Sequence, residues 1–164
     1  MSAQGSVTAV VILALDVGAA RIGVAASDES ELLASPRAVI RRRSDAAAVE
    51  AILRAVAEAG AGQVVVGLPV SFDGQLHAQA QAVRRFAEKL RARLTVPLVY
   101  ADETLSTVRA EEQLRASGLR GDKIRERIDA AAAAVILQEY LDTRREAVLP
   151  PPDAADDRDE SSRP

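Results

Sequence analysis

A chain of 164 residues is long enough to bury the core of one domain; with no cysteine it holds neither disulfides nor thiolate-bound metals, which excludes zinc fingers and suits a reducing cytosol. Two Phe, two Tyr and no Trp leave Ala, Val, Leu and Ile to make the core. The formal charge of −3 does not count against a polyanionic partner, because residues 150–164 carry five acids and two arginines and residues 1–149 sum to zero.

The apolar segment from Val7 to Leu15 lacks a basic leader, is too short to span a bilayer and runs into Asp16, so it reads as a strand, from about Val10 to Leu15. Nothing marks export or a membrane, and a cytoplasmic location is expected. Two further strands follow at Ile22–Ser27 and Leu33–Ile40, joined by short Gly-containing or polar turns, which implies an antiparallel meander. Residues 44–59 read as a helix capped by Ser44 or Asp45 and ended by Gly60, and Val64–Leu68 as a buried strand. A second helix is expected from about Leu76 to Leu94, a fifth strand at Pro97–Ala101, a third helix at Thr107–Ala116 closed by Ser117-Gly118, and a last helix from Asp122 to about Arg144. The order βββαβαβαα predicts an α/β fold: a mixed five-stranded sheet, an antiparallel meander of strands 1–3 and then strands 4 and 5, with helices on both faces. Residues 1–149 form one domain; residues 150–164, proline-rich and acidic without apolar periodicity, are expected to be a disordered tail.

Three acids stand in awkward places. Asp16 ends an apolar strand, where an unpaired carboxylate costs several kcal/mol. A basic side chain or a metal ion must compensate it, and Gly18 and Gly23 let backbone or ligand come close. Asp102 and Glu103 follow another apolar strand, so one of them lies at its end. Asp129 sits among alanines in a helix whose apolar stripe is Ile124, Ile128, Ala131, Ala132, Val135 and Ile136. One such acid is as readily a solvated flank; three from separate elements suit a hard divalent cation, Mg²⁺ or Mn²⁺. Strand ends in such sheets are also where ligands gather.

Basic residues cluster at Arg41-Arg42-Arg43, at Arg84-Arg85 with Arg91 and Arg93, and at Arg120, Lys123, Arg125 and Arg127. Most arginines in such runs solvate a surface. As a phosphate track the third cluster is favoured over the first, because Arg125 is one helical turn from Asp129 and helix amides favour anions there. Arg21 reads as a phosphate contact or a partner of Asp28. Ser27 and Asp28 read as supports of the site or as an ordinary turn, Asp102 as a cap or orienting group, and His77, the only histidine, as a surface residue rather than a proton shuttle.

Four motifs, in order, carry a family resemblance: Asp16-Val17-Gly18 with Arg21-Ile22-Gly23-Val24-Ala25 and Ser27-Asp28; Val65-Val66-Gly67-Leu68-Pro69 with Asp73-Gly74; Asp102-Glu103-Thr104-Leu105-Ser106-Thr107; and Ile128-Asp129-Ala130-Ala131-Ala132 with Ile136-Leu137-Gln138-Glu139-Tyr140-Leu141. Over residues 10–142 the chain resembles the YqgF family, also called RuvX. The resemblance implies an RNase H-like fold and a metal-dependent endonuclease, either maturing the 5′ end of the small-subunit (pre-16S) ribosomal RNA or resolving Holliday junctions. It places the family's acidic triad on Asp16, Glu103 and Asp129, as catalytic residues and as ligands of Mg²⁺ or Mn²⁺. Two ions would activate a water on one side of the phosphodiester and stabilise the leaving oxygen on the other, with Asp16 bridging them. Arg21, Arg120, Lys123 and Arg125 are the expected substrate-binding residues, and the partner a structured RNA precursor or branched DNA. One departure is Ala20, where the family often has Lys. Resolution of a junction would also require a homodimer, since one such site cuts one strand.

Two readings compete. Asp-x-Gly-x-x-x-Ile-Gly is similar to the phosphate-binding hairpin of actin- and hexokinase-like phosphotransferases, although one domain leaves no second wall for a nucleotide cleft. A non-catalytic nucleic-acid-binding or transcription-linked module is the other.

Overall fold

The computed structural model describes residues 10–69, 78–103 and 121–148. Three strands, β1 (Val11–Val17), β2 (Arg21–Ser27) and β3 (Ala34–Arg41), form an antiparallel meander. Helix α1 (Asp45–Ala59), β4 (Ala61–Leu68), α2 (Ala78–Arg91), β5 (Leu98–Asp102) and α3 (Asp122–Val148) follow. The sheet order is β3-β2-β1-β4-β5, with β4 and β5 parallel to β1, which is the mixed sheet expected. The expected third helix, His77 and Arg120, and the tail at 150–164 lie outside the described residues. Among those described, no helix is long and apolar enough to cross a membrane.

Local chemistry sets the boundaries. Ser44 is extended and its hydroxyl accepts from Ala47 N at 3.1 Å, satisfying one of the amides that open α1. Gly60 ends the helix at φ 61°, a left-handed conformation that costs glycine little. In β3, Pro36 sits where the pairing with β2 shifts register, and an outer strand is the place in a sheet that tolerates a residue with no N–H.

Strand alternation splits the core into two layers. Leu13, Leu15, Ile22, Val24, Val64 and Val66 pack against α1 and α2, where Ile52, Phe86 and Leu90 are fully buried. Ile12, Ala14, Ala25 and Val65 face α3 and meet Ala133, Ile136, Leu137 and Leu141. Alanines at 14, 25 and 133 thin this layer locally, so the helix lies close on the sheet there. At Gly23 the helix backbone touches the strand: a Cβ there would overlap the carbonyl of Asp129.

Candidate functional site

Alternation along β1 puts Asp16 on the α3 side with Ile12 and Ala14, at the carboxyl end of the strand. Its partner across the ladder is Gly23, the residue on which the Asp129 backbone rests. The glycine that lets α3 descend therefore also brings Asp129 to Asp16. On the other flank, Glu103 follows the last residue of β5, and its N–H donates to the Leu68 carbonyl at 2.9 Å. Its side chain lies over Gly67, where a Cβ would stand 3.0 Å from Glu103 Oε2 and 2.6 Å from Ile136 Cδ1. Glycines at 23 and 67 thus clear the two sides of Asp16.

Burial, the Glu103 charge, a hydrogen bond to Glu103 and the Asp129 charge together push the Asp16 carboxyl up from the ordinary aspartate range to about 8. At neutral pH and without a cation, Asp16 holds its proton and donates it to Glu103. Asp129 is oriented otherwise: its Oδ2 accepts from Arg21 Nε at 2.7 Å, in a pair that is about three-quarters buried on the Asp129 side. Among the described residues, no three His, Cys, Asp or Glu are arranged to hold an ion as they stand. Two carboxyl groups that share a proton are nonetheless a donor set that a hard divalent cation satisfies by displacing that proton, and Mg²⁺ commonly takes one or two protein carboxylates and completes its shell with water and substrate phosphate.

The remaining candidates separate. Arg21 pairs with Asp129, not with Asp28. Ser27 and Asp28 lie at the far end of β2, so they do not support the site: Ser27 is buried and accepts from Ile12 N at 2.8 Å, while Asp28 closes the β2–β3 turn by accepting from the N–H groups of Leu32 and Leu33. Asp102 is exposed. Lys123 and Arg125 are exposed near the start of α3. Of the Arg41–Arg43 run, Arg42 turns inward: it donates from Nε to Asp45 Oδ1 at 2.9 Å and from Nη1 to the Gly18 carbonyl at 3.1 Å, and it stacks 4.6 Å over the Phe86 ring. Arg41 and Arg43 stay exposed, and with Ala20, Arg21, Arg42 and Glu126 they line a cleft of about 310 Å³ beside the acids.

The family model described as "RuvX: Holliday junction resolvase" matches residues 10–143, a span that holds all three acids and the two glycines between them. The chain belongs to the RuvX family. Its relatives include proteins named "Putative pre-16S rRNA nuclease": one from Chloroflexus aurantiacus is 47% identical over 135 residues, covering 82% of this chain and 88% of that one. Another, from Anaeromyxobacter, is 45% identical over 132 residues, covering 80% and 96%. Among solved structures, the fold of this RuvX chain is similar to Thermus thermophilus RuvC in complex with a Holliday junction substrate, at TM-score 0.54 and 16% identity over 82% of this chain and 96% of that one. Fowlpox virus resolvase, bound to Holliday junction DNA, gives TM-score 0.53 at 10% identity over 82% and 98%. These neighbours place the RuvX sheet in the RNase H-like fold. Membership in RuvX also decides against the phosphotransferase alternative.

In this RuvX chain, sequence reasoning missed Glu126 as a wall of the cleft and the inward turn of Arg42. A period-of-two reading through 41, 42 and 43 would have separated the middle arginine from its neighbours.

Proposed function

We propose that this RuvX chain is a metal-dependent endonuclease that hydrolyses phosphodiester bonds in the 5′-end processing of pre-16S rRNA. The observation that carries the reading is the proton-sharing pair Asp16–Glu103, backed by Asp129, at the carboxyl edge of an RNase H-like sheet. The choice of substrate follows the relatives at 47% and 45% identity named for pre-16S rRNA.

Bound Mg²⁺ or Mn²⁺ would activate water and stabilise the leaving oxygen. Asp16, Glu103 and Asp129 would hold it. Asp16 must then give up its proton, and Asp129 must be shared with, or released by, Arg21. Arg21 is thereby left beside the reacting phosphate, where a guanidinium neutralises charge on a non-bridging oxygen. Lys123 and Arg125, with Arg120, would contact the substrate outside the acids. No side-chain nucleophile is called on.

The test is cleavage of a precursor small-subunit rRNA fragment in Mg²⁺ or Mn²⁺. Asp16→Asn keeps the side-chain volume and removes an anionic ligand, so the rate should fall by at least about two orders of magnitude while the protein stays folded. Near-wild-type cleavage by that variant would remove Asp16 from the site. The family description and the two junction-resolving neighbours favour a second reading, resolution of a four-way DNA junction. It demands paired cuts and a two-fold particle, so matched RNA and junction substrates, assayed together with the mass in solution, separate the two.

A further inference from the structure

We propose that the cleft between the β1–β2 turn, the end of β3 and the first turns of α3 is a phosphate-backbone site, gripping the cut strand to one side of the reacting phosphate; this rests on the nuclease reading above. Arg21 and Arg41 are ladder partners across β2 and β3, and Arg43 lies just beyond. Together with the inward-held Arg42 they bring four guanidinium groups around one cleft whose only acidic lining residue among the described ones is Glu126, a basic surface that favours an anion.

Their present partners leave charge to spare. Arg42 is committed to Asp45 and to the Gly18 carbonyl. Arg21 uses only Nε, on Asp129, and both of its Nη groups are without a partner among the described residues. Arg41 meets Glu126 at 3.9 Å across two exposed side chains, a weak, solvent-screened contact readily exchanged for phosphate. Arg43 has no ion pair or hydrogen bond among the described residues. Guanidinium forks suit phosphate oxygens, and the concave site offers three that are free or loosely held.

Position follows from the sheet. Adjacent strands lie about 4.8 Å apart, so Arg41 on β3 is about 10 Å to the side of Asp16 on β1, and because Asp16 lines up with Gly23 and Val39 it also lies two residues farther along the strand. That offset sets the Arg41 guanidinium against a phosphate flanking the reacting one rather than on the reacting one itself. Arg21, on the strand between, bridges the cleft to the acids through Asp129. Ala20 also lines the cleft and contributes no charge, so the arginines of the β3 end supply what the turn itself does not.

The experiment measures binding of a fluorescent precursor-rRNA hairpin in Mg²⁺ over a salt series, on the Asp16→Asn background that prevents cutting. Arg41→Ala with Arg43→Ala should flatten the slope of log affinity against log salt by about 1.4 to 1.8 units, the loss of two phosphate contacts. Ala20→Lys should steepen it by about 0.7 to 0.9, a gain that misfolding cannot produce. A single methylphosphonate, scanned along the hairpin, should weaken binding by the Arg41–Arg43 parent at a position flanking the cut on one side and leave the double variant unaffected there. Unchanged slopes in both variants, with wild-type protein still cutting the RNA, would overturn the cleft and leave the nuclease reading standing. Slopes that move as stated, with wild-type protein cutting neither RNA nor junction, would keep the cleft and overturn the nuclease.

Discussion

Asp16 sits where a carboxylate is least welcome: a buried strand end, a second acid in hydrogen-bond contact and a third behind it. A folded-state value near 8 against about 4 in the unfolded chain means that folding takes up a proton between those limits. The ion-free protein should therefore lose stability as the pH rises from about 4 to about 8, with no further change from this group above that. Asp28, Asp45 and Asp142 are held below the ordinary aspartate range by their hydrogen-bond and ion-pair partners and titrate below this window, so they do not mask it. In EDTA, the melting temperature of the wild type should fall between pH 5 and 8, while Asp16→Asn stays flat and melts at least about 2 °C higher at pH 8, the shift for 1 kcal/mol in a chain of this size. A wild-type curve parallel to that of the variant would mean that Asp16 is ionised throughout. That Asp16 needed compensation was legible from its place after six apolar residues. That the answer includes a neighbour's carboxylate was not, because residues 16 and 103 meet only through the pairing of β4 with both β1 and β5.

At the scale of elements, the site is made by one helix lying unusually low on a sheet. Ala130, Ala132 and Ala133 are buried against β2 and its neighbours, and Gly23 leaves no room even for a methyl group. Gly23→Ala should lift α3 at Asp129, with a cost of about 1–3 kcal/mol typical of overpacking, and should weaken Mg²⁺ binding read by calorimetry more than its effect on melting would suggest. Unchanged Mg²⁺ affinity in a folded Gly23→Ala protein would show that Asp129 lies outside the ion site. The elements themselves were largely legible: the Ser44 cap and the Gly60 stop bound α1 as expected, and the short turns between the first three strands required a meander. Starts were less so. The fourth strand begins at Ala61, three residues before the β-branched run, because ladder pairing of Ala61 with Val11 and of Gln63 with Ile12, across a register shift at Gly62, overrides the weak strand preference of this stretch. The last helix continues to Val148, past the end of its apolar stripe, where Arg144 reaches Glu31 and stacks on Tyr140.

Across the whole molecule, charge and topology explain why a formally acidic chain presents a basic cleft. The end of β3 is two strands removed from the acids, and sequence spacing alone does not bring residues 41–43 to residue 126. Only the antiparallel return of β3 and the crossing of α3 over β2 put them on one cleft, which is why the favoured track in the sequence was the helix start rather than the strand end. The same β3 has another consequence. As a border of the sheet it offers a row of amides and carbonyls to any other chain, yet Pro36 and the register shift break that row beside the exposed Arg37. Such an edge is a poor template for a second sheet. Pro36→Val would restore a continuous border, and light scattering during a thermal ramp should then begin below the wild-type onset. Equal onsets would show that proline is not what guards it. Two copies would gain little by joining their β3 edges, so a paired enzyme of this kind would meet through another surface, the β5 border or the helices.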